Sequence, residues 1–278
     1  MTKISYVNGR YIYNYKANIS INDRTIHFAD AAYEVVGVYD EKLLFWEDHY
    51  KRLKNSLKLL GFDDISLIKN LEYKCKEIID KNFLVEGLIY IHVSRGIAKR
   101  DHNWSNKIKP TLIISAISKN ISNEKPKKIA LISNNDIRWK KCNIKSVSLL
   151  PNVLLKQKAL KNNASECIMF NDKGYLTEAT TSNVFVIKQK TVFTPNLKNN
   201  ILPGVTRKLI FSICKHKGIK AVEKNLTMRD LLNSDGVFLS NTSSFIVEAK
   251  KINNNIIKTD KKNIINQIRK YYLEIIGL

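Results

Sequence analysis

Two residues near the middle of the chain, Lys145 and Glu178, have side chains that can act together in catalysis. A lysine amine can attack a carbonyl group or accept a proton, and a carboxylate can stabilise a proton on a neighbouring base. Lys145 is followed by a charge-free run over residues 146–155, whereas a lysine on a solvated face normally has charged neighbours. Glu178 is followed by small hydroxyl residues and Asn183, a polar entry to a strand of the kind that lines a pocket. These features predict a site, but they do not fix its chemistry.

The segment between the two residues contains the elements that would position them. An amphipathic run over residues 153–161 predicts a helix, and Pro151 suits its first turn. A short apolar run over residues 167–170 predicts a strand. One helix and one strand would therefore bring Lys145 and Glu178 to one cavity.

The rest of the chain predicts two domains separated by a linker. Residues 118–128 are polar, contain Pro126 and lack periodicity, so we place a linker at 121–127, between an N-terminal domain at 1–120 and a C-terminal domain at 128–278. The N-terminal domain is predicted to contain hairpins at 5–13 and 33–46, helices at 47–60 and 66–83, and strands at 84–93 and 110–117. The C-terminal domain is predicted to contain strands at 129–133, 167–170, 184–187, 236–239 and 245–249, and helices at 203–217, 228–233 and 261–276.

Three motifs link these residues to a known family. They read KSVSLL from Lys145, LTEATTSNVF from Leu176 and LPGVTR from Leu202. In type and spacing they resemble the class IV (fold type IV) pyridoxal-phosphate aminotransferases, and the similarity extends over essentially the whole chain. The resemblance implies a two-domain α/β (α+β) fold, with an N-terminal domain of a sheet plus helices and a C-terminal α/β pseudo-barrel domain. It also implies pyridoxal 5'-phosphate as the cofactor.

The resemblance assigns a role to each motif. Lys145 would form the Schiff base with the cofactor aldehyde and later act as the base at the substrate Cα. Glu178 would keep the cofactor ring nitrogen protonated, which an electron sink requires. The phosphate would lie at a helix N-terminus, where an arginine fork and a further hydroxyl group also contact it. The residues implied in phosphate binding are Arg52, Gly204, Val205, Thr206 and Thr242.

The run RGIAKRDH from Arg95 is similar to a substrate-binding loop of D-amino-acid aminotransferases. The resemblance implies that Arg100 and His102 hold the substrate α-carboxylate across the interface of a homodimer, and that Tyr33 completes this carboxylate trap. The enzyme would move the amino group of a D-amino acid, with D-alanine as the expected donor, to a 2-oxo acid such as 2-oxoglutarate. Gly37 stands where D-specific relatives often carry a basic residue, which leaves the range of substrate side chains open.

Two other reactions fit the same fold. L-branched-chain aminotransferases usually have Phe-Glu-Gly followed by arginine where this chain has YEVV from Tyr33, and they lack the pairing of Arg100 with His102. Aminodeoxychorismate lyases share the lysine and the glutamate but eliminate pyruvate. Arg100 and His102 favour the D-amino-acid transaminase over both.

The net charge of +22 suggests an alternative function of another class, nucleic-acid binding. The basic residues are spread along the whole chain, with no block interleaved with aromatic residues and no recognisable nucleic-acid module. We therefore expect no nucleic-acid partner.

The composition predicts a globular protein of the cytoplasm. The 278 residues, 44% of them hydrophobic, can form two domains with their own cores. No N-terminal run resembles a signal peptide, and no stretch approaches the roughly 18 apolar residues that span a bilayer. The four cysteines form no C-x-x-C pair, so neither a metal site nor a disulfide framework is indicated.

Overall fold

The structure is a computed structural model that describes residues 3–122 and 128–278, and these residues form two compact units. The first unit contains the described residues up to 122 together with Ile144–Ser148, and the second contains residues 128–143 and Leu149–Leu278. Residues 123–127, most of the predicted linker, lie outside the described residues, so the linker stays a prediction. The segment Ile144–Ser148, predicted within the C-terminal domain, belongs to the first unit because its backbone pairs there. The Tyr33 amide donates to the carbonyl of Lys145 at 3.0 Å, and the Val147 amide donates to the carbonyl of Ala31 at 3.2 Å.

The first unit is an antiparallel sheet with helices against it. The elements are β1 (Ile4–Val7), β2 (Arg10–Tyr13), α1 (Arg24–Phe28), β3 (Ala31–Tyr39), β4 (Lys42–Leu43), α2 (Trp46–Leu59), α3 (Leu71–Asn82), β5 (Gly87–Ser94) and β6 (Thr111–Ser118), with short 3-10 turns at Asn14–Lys16 and Ser66–Ile68. The strands lie in the order β2-β1-β6-β5-β3-β4. Leu53 and Leu57 of α2, with Ile78 and Ile79 of α3, pack in one apolar cluster with strand residues such as Ile89.

The predicted elements of this unit are present, but the second hairpin and the helix predicted over 66–83 are shorter than expected. The first hairpin turns at Asn8 and Gly9, both with positive φ, as an Asn-Gly hairpin requires. The second hairpin is shorter than predicted because Phe45 has a φ of 52° and Trp46 begins α2. The helix predicted over 66–83 is divided because Asn70 has a φ of 56°, so α3 starts only at Leu71.

The second unit is a mixed sheet with helices. The elements are β7 (Lys128–Asn135), α4 (Leu150–Lys161), β8 (Glu166–Phe170), β9 (Leu176–Ala179), β10 (Asn183–Lys188), β11 (Thr191–Thr194), α5 (Val205–His216), β12 (Ala221–Glu223), α6 (Met228–Leu232), β13 (Gly236–Asn241), β14 (Phe245–Ile252), β15 (Asn255–Ile256) and α7 (Ile264–Ile276), with a 3-10 turn at Leu197–Asn199. The strand order is β12-β11-β10-β13-β14-β7-β8-β9, and β15 pairs with β14. Strand β9, at one end of this order, connects to β10 through only three residues, 180–182, so the sheet curls towards a barrel.

The mixed α/β architecture is confirmed, and two differences in the second unit affect the site. Glu178 lies inside a strand of its own, β9, whereas the sequence placed it in the polar entry to the next strand. The helix predicted from residue 203 begins at Val205, so Gly204 is its N-cap. Among the described residues, no helix is both long enough and apolar enough to cross a membrane.

Candidate active site

Lys145 and Tyr33 lie together in the first unit, because the segment that carries the lysine pairs with the start of β3. The Lys145 amide donates to Oγ of the buried Ser56 on α2 at 3.1 Å, which fixes the lysine backbone. The Lys145 Nζ atom lies 4.3 Å from the centroid of the Tyr33 ring. The structure therefore brings together the predicted Schiff-base lysine and one predicted member of the carboxylate trap.

Arg52 lies in α2, where it pairs with a carboxylate that the sequence did not single out. Its Nε donates to Oε1 of Glu34 at 2.7 Å and its Nη2 to Oε2 at 2.8 Å, while Nδ1 of His49 lies 2.8 Å from Oε2. Burial alone would raise the pKa of Glu34, but the Arg52 guanidinium and His49 lower it to about 2. Burial also lowers the pKa of His49, although Glu34 opposes that shift. Arg52 is therefore held in a fixed direction by an ionised carboxylate.

Arg100 and His102 lie in the loop between β5 and β6, and both side chains are exposed to solvent. Both are near the Phe28 ring of α1. The guanidinium carbon of Arg100 is 5.7 Å from the ring centroid, and the His102 ring centroid is 5.4 Å away. The structure thus places the two predicted carboxylate ligands beside one aromatic side chain.

Glu178 is buried in the second unit, and its carboxylate contacts three other residues. Nη1 of Arg138 forms an ion pair with Oε1, Nδ2 of Asn183 donates to Oε2 at 3.1 Å, and the Leu202 amide also donates to Oε2 at 3.1 Å. Burial raises the pKa of Glu178, whereas Arg138 and the Leu202 amide oppose the shift. A carboxylate that is shielded from water in this way is suited to keeping the ring nitrogen of a cofactor protonated.

Arg138 is a site residue that the sequence analysis missed. Its Nη2 donates to Oδ2 of Asp136 at 2.7 Å, so it is held between Asp136 and Glu178. The run DIRW at the end of β7 was a weak signal, because an acid two residues before an arginine is common on surfaces.

The predicted phosphate-binding residues of the second unit lie around the N-terminus of α5. A Cβ on Gly204 would stand 2.1 Å from Oδ1 of Asn183, so any other residue there would displace the Asn183 side chain. Val205 and Thr206 open the helix, whose first amides have no acceptor within it. Thr242 lies in the turn between β13 and β14. This turn is near the same helix, because Asn183 is paired with Ser240 across β10 and β13.

These residues of the second unit fit pyridoxal 5'-phosphate on two observations. The hydroxyl of Ser240 is buried and has no hydrogen-bond partner in the part of the chain that the structure describes. It stands opposite Asn183, near a helix N-terminus that favours an anion. The second observation is the buried carboxylate of Glu178. Because Lys145 and Arg52 belong to the first unit and Glu178 to the second, their predicted sharing of one cavity stays a prediction.

Comparisons with known proteins find relatives in both sequence and fold. A family model described as amino-transferase class IV matches residues 31–252. A D-alanine aminotransferase of Bacillus licheniformis is 34% identical over 90% of this chain and 88% of its own length. The structure of a branched-chain amino acid aminotransferase from Escherichia coli has a TM-score of 0.90 at 22% identity over 99% of this chain and 94% of that one, a likeness of fold alone. That of a putative 4-amino-4-deoxychorismate lyase from Legionella pneumophila has a TM-score of 0.85 at 28% identity over 94% of this chain and 96% of that one.

Proposed function

Because the chain belongs to the amino-transferase class IV family, as its motifs predicted, we propose that it is a pyridoxal-phosphate-dependent D-alanine aminotransferase. It would transfer the amino group of D-alanine to a 2-oxo acid such as 2-oxoglutarate. The observation that carries the proposal is Lys145 held 4.3 Å from the Tyr33 ring, in a chain similar to a D-alanine aminotransferase over nine-tenths of its length.

The cofactor contributes one property, an electron sink for the electron pair left at the substrate Cα. Lys145 would attach the cofactor and, once free, take the proton from Cα through its Nζ. The Tyr33 ring beside that amine restricts where Nζ can move. Arg52, oriented by Glu34, would donate to the cofactor phosphate.

The second unit would hold the two polar ends of the cofactor. Glu178 would keep a proton on the ring nitrogen, and Arg138 and Asn183 hold its carboxylate in place. Gly204, Val205 and Thr206 would present backbone amides and a hydroxyl group to the phosphate, with Thr242 adding a further donor. Because Gly204 has no side chain, the phosphate could come close to the backbone amides there.

Substrate selection would depend on Arg100, His102 and Tyr33. Two cationic or donating side chains and a phenol suit an α-carboxylate, which only accepts hydrogen bonds. The exposure of Arg100 and His102 in the single chain supports the proposal that they act across the interface of a homodimer. The buried free thiols of all four cysteines support a reducing, cytoplasmic location.

The lyase remains as a second candidate, because the Legionella pneumophila structure is 28% identical to this chain. The two candidates differ in their need for an acceptor, although both release pyruvate. Transfer from D-alanine leaves pyruvate, requires a 2-oxo acid acceptor and gives a new amino acid, whereas the lyase eliminates pyruvate from its own substrate without an acceptor.

The proposal is tested at Lys145 by absorbance. Purified protein with pyridoxal phosphate should absorb above about 400 nm, and Lys145→Ala should lose this band together with turnover of D-alanine. Lys141→Ala is the matched control, because Lys141 is exposed nearby in the sequence and should keep both. Survival of the band in Lys145→Ala would contradict the assignment.

A further inference from the structure

We propose that Arg24 is a positioning residue that fixes the loop on which Arg100 and His102 are carried, and thereby sets the affinity for the substrate carboxylate. This inference rests on the proposed function, in which those two side chains bind the carboxylate. Arg24 itself contacts neither the substrate nor the cofactor in this account. It lies in α1, the helix whose Phe28 ring is beside Arg100 and His102.

The side chain of Arg24 contacts three successive carbonyl groups of the loop. Its Nη1 donates to the carbonyl of Asp101 at 2.6 Å and to that of Asn103 at 3.2 Å, and its Nη2 donates to the carbonyl of His102 at 3.4 Å. These carbonyls belong to His102 and to its two neighbours, and Asp101 directly follows Arg100. Arg24 therefore controls the backbone at the positions from which both carboxylate ligands project.

Arg24 is itself held rigidly. Its side chain is 4% exposed, and its Nε donates to Oδ2 of Asp30 at 2.8 Å. Arg95 binds the same carboxylate through Nε at 2.8 Å and Nη2 at 3.0 Å. The Phe28 ring lies 4.6 Å from the Arg24 guanidinium carbon. The guanidinium of Arg24 is held by Asp30 at one edge and by the Phe28 ring on one face. Its remaining donors can therefore fix the backbone conformation of a loop that lacks regular structure.

The backbone of the same region also joins α1 to the start of the loop. The Arg24 amide donates to the carbonyl of Gly96 at 3.0 Å, and the Ala98 amide donates to the carbonyl of Asn22 at 3.2 Å. The loop is thus attached to α1 at two places, at its start through backbone atoms and near His102 through the arginine fork. Only the second attachment depends on a side chain, so it can be removed by substitution.

Lysine cannot replace this arginine. A lysine ammonium could still pair with Asp30, but a single nitrogen cannot reach Asp30 and three carbonyls in different directions at once. Loss of loop order would move Arg100 and His102 from the positions that bind a carboxylate. A misplacement of about 1 Å in a binding group can reduce catalytic efficiency by about 100-fold.

The experiment compares Arg24→Lys with wild-type holoenzyme. We expect the KM values for D-alanine and 2-oxoglutarate to rise by about 10- to 100-fold, while kcat and the cofactor absorbance band change little. In an Arg100→Ala background the same substitution should add less than about threefold, because coupled residues are not additive. Additive effects would show that Arg24 does not act through Arg100.

Arg95→Lys is the matched control. Arg95 is also buried and binds the same Asp30, and among the described contacts its side chain contacts the loop only through the Trp104 ring, 4.3 Å from its guanidinium carbon. It donates to the carbonyls of Leu60 and Gly61, just after α2, and not to the loop carbonyls. A KM increase as large in Arg95→Lys as in Arg24→Lys would mean a general loosening of the unit and would overturn the proposal. If Arg24→Lys does not fold, Phe28→Leu tests the same arrangement, because the Phe28 ring contacts Arg24, Arg100 and His102.

Hydrogen exchange separates this inference from the proposed function. Amides of residues 99–105 should exchange faster in Arg24→Lys than in wild type, whatever the substrate is. If wild type does not turn over D-alanine, the proposed function fails, and the exchange rates still decide whether Arg24 orders the loop. Unchanged exchange in these residues would refute the inference even if D-alanine is the substrate.

Discussion

Arg52 and Glu34 form a buried two-point ion pair in which Nε donates to Oε1 at 2.7 Å and Nη2 donates to Oε2 at 2.8 Å. The Glu34 side chain is 1% exposed, and His49 contacts the same carboxylate. Because the Glu34 carboxylate is removed from water and contacted by both Arg52 and His49, neither it nor the Arg52 side chain can easily take up another orientation. Glu34 therefore fixes the orientation of the Arg52 guanidinium.

Glu34→Gln should weaken both the fold and the binding of pyridoxal phosphate. The amide keeps one acceptor but loses the charge, and breaking a buried pair costs on the order of 3 kcal/mol. Urea denaturation and cofactor titration measure the two effects, and we expect an approximately tenfold higher Kd for the cofactor when Arg52 loses its orientation. Glu41→Gln, an exposed carboxylate, is the control. An unchanged urea midpoint and an unchanged Kd would argue against the pair.

The same pair predicts how stability depends on pH. The pKa of Glu34 is lowered to about 2 in the folded protein, below that of an unfolded glutamate, so the folded state favours the ionised form. The resulting stability, about 3 kcal/mol, is fully present above about pH 4.5 and is lost as the pH falls towards 2. The free energy of unfolding should therefore fall more steeply with acid in wild type than in Glu34→Gln. If the free energy of unfolding depends on pH in the same way in both proteins, this prediction is wrong.

Glu178→Gln should reduce kcat by about 100-fold or more, because a neutral amide cannot keep the cofactor ring nitrogen protonated. The fold should survive, since Arg138 still has Asp136 as an ionised partner. Steady-state kinetics and a thermal melt measure the two effects separately. A kcat within threefold of wild type, in a folded protein that binds cofactor, would be incompatible with the role given to Glu178.

Tyr272→Phe should weaken cofactor binding without disturbing the fold. The Tyr272 side chain shares a hydrogen bond with the side chain of Thr206, and its ring lies 5.0 Å from that of Phe245. Phenylalanine keeps the packing and removes about 1 kcal/mol of hydrogen bonding, equivalent to an approximately fivefold higher Kd for pyridoxal phosphate. Tyr271→Phe, its neighbour in α7, should bind the cofactor as wild type does. Equal Kd values for all three proteins would remove Tyr272 from the phosphate site.

The sequence indicated candidate site residues within motifs, but it did not indicate the residues that hold them in place. Lys145, Glu178 and Gly204 stand in runs whose spacing is distinctive. Arg24 and Arg138 could not be found in the same way, because nothing in a short run of residues distinguishes a buried arginine with fixed partners from an exposed one. Their roles depend on contacts between residues far apart in the chain, such as Arg24 with Asp101 and Arg138 with Glu178.

Three helix starts could not be predicted accurately for a similar reason. Phe45, Asn70 and Asn263 all have positive φ values, and α2, α3 and α7 each begin directly after one of them. An asparagine tolerates this conformation and a phenylalanine rarely does, so only tertiary packing can decide where the chain turns. The hydrophobic pattern continues through these positions, so the sequence did not indicate that the chain changes direction there.

The most direct test of the central claim is a comparison of D- and L-alanine as amino donors to 2-oxoglutarate. The two enantiomers differ only in the hand at Cα, so each is the control for the other, and the chirality of the glutamate formed reports the second half of the reaction. We expect turnover of D-alanine with formation of D-glutamate, and L-alanine turnover lower by about 100-fold or more. Turnover of L-alanine alone would contradict the account.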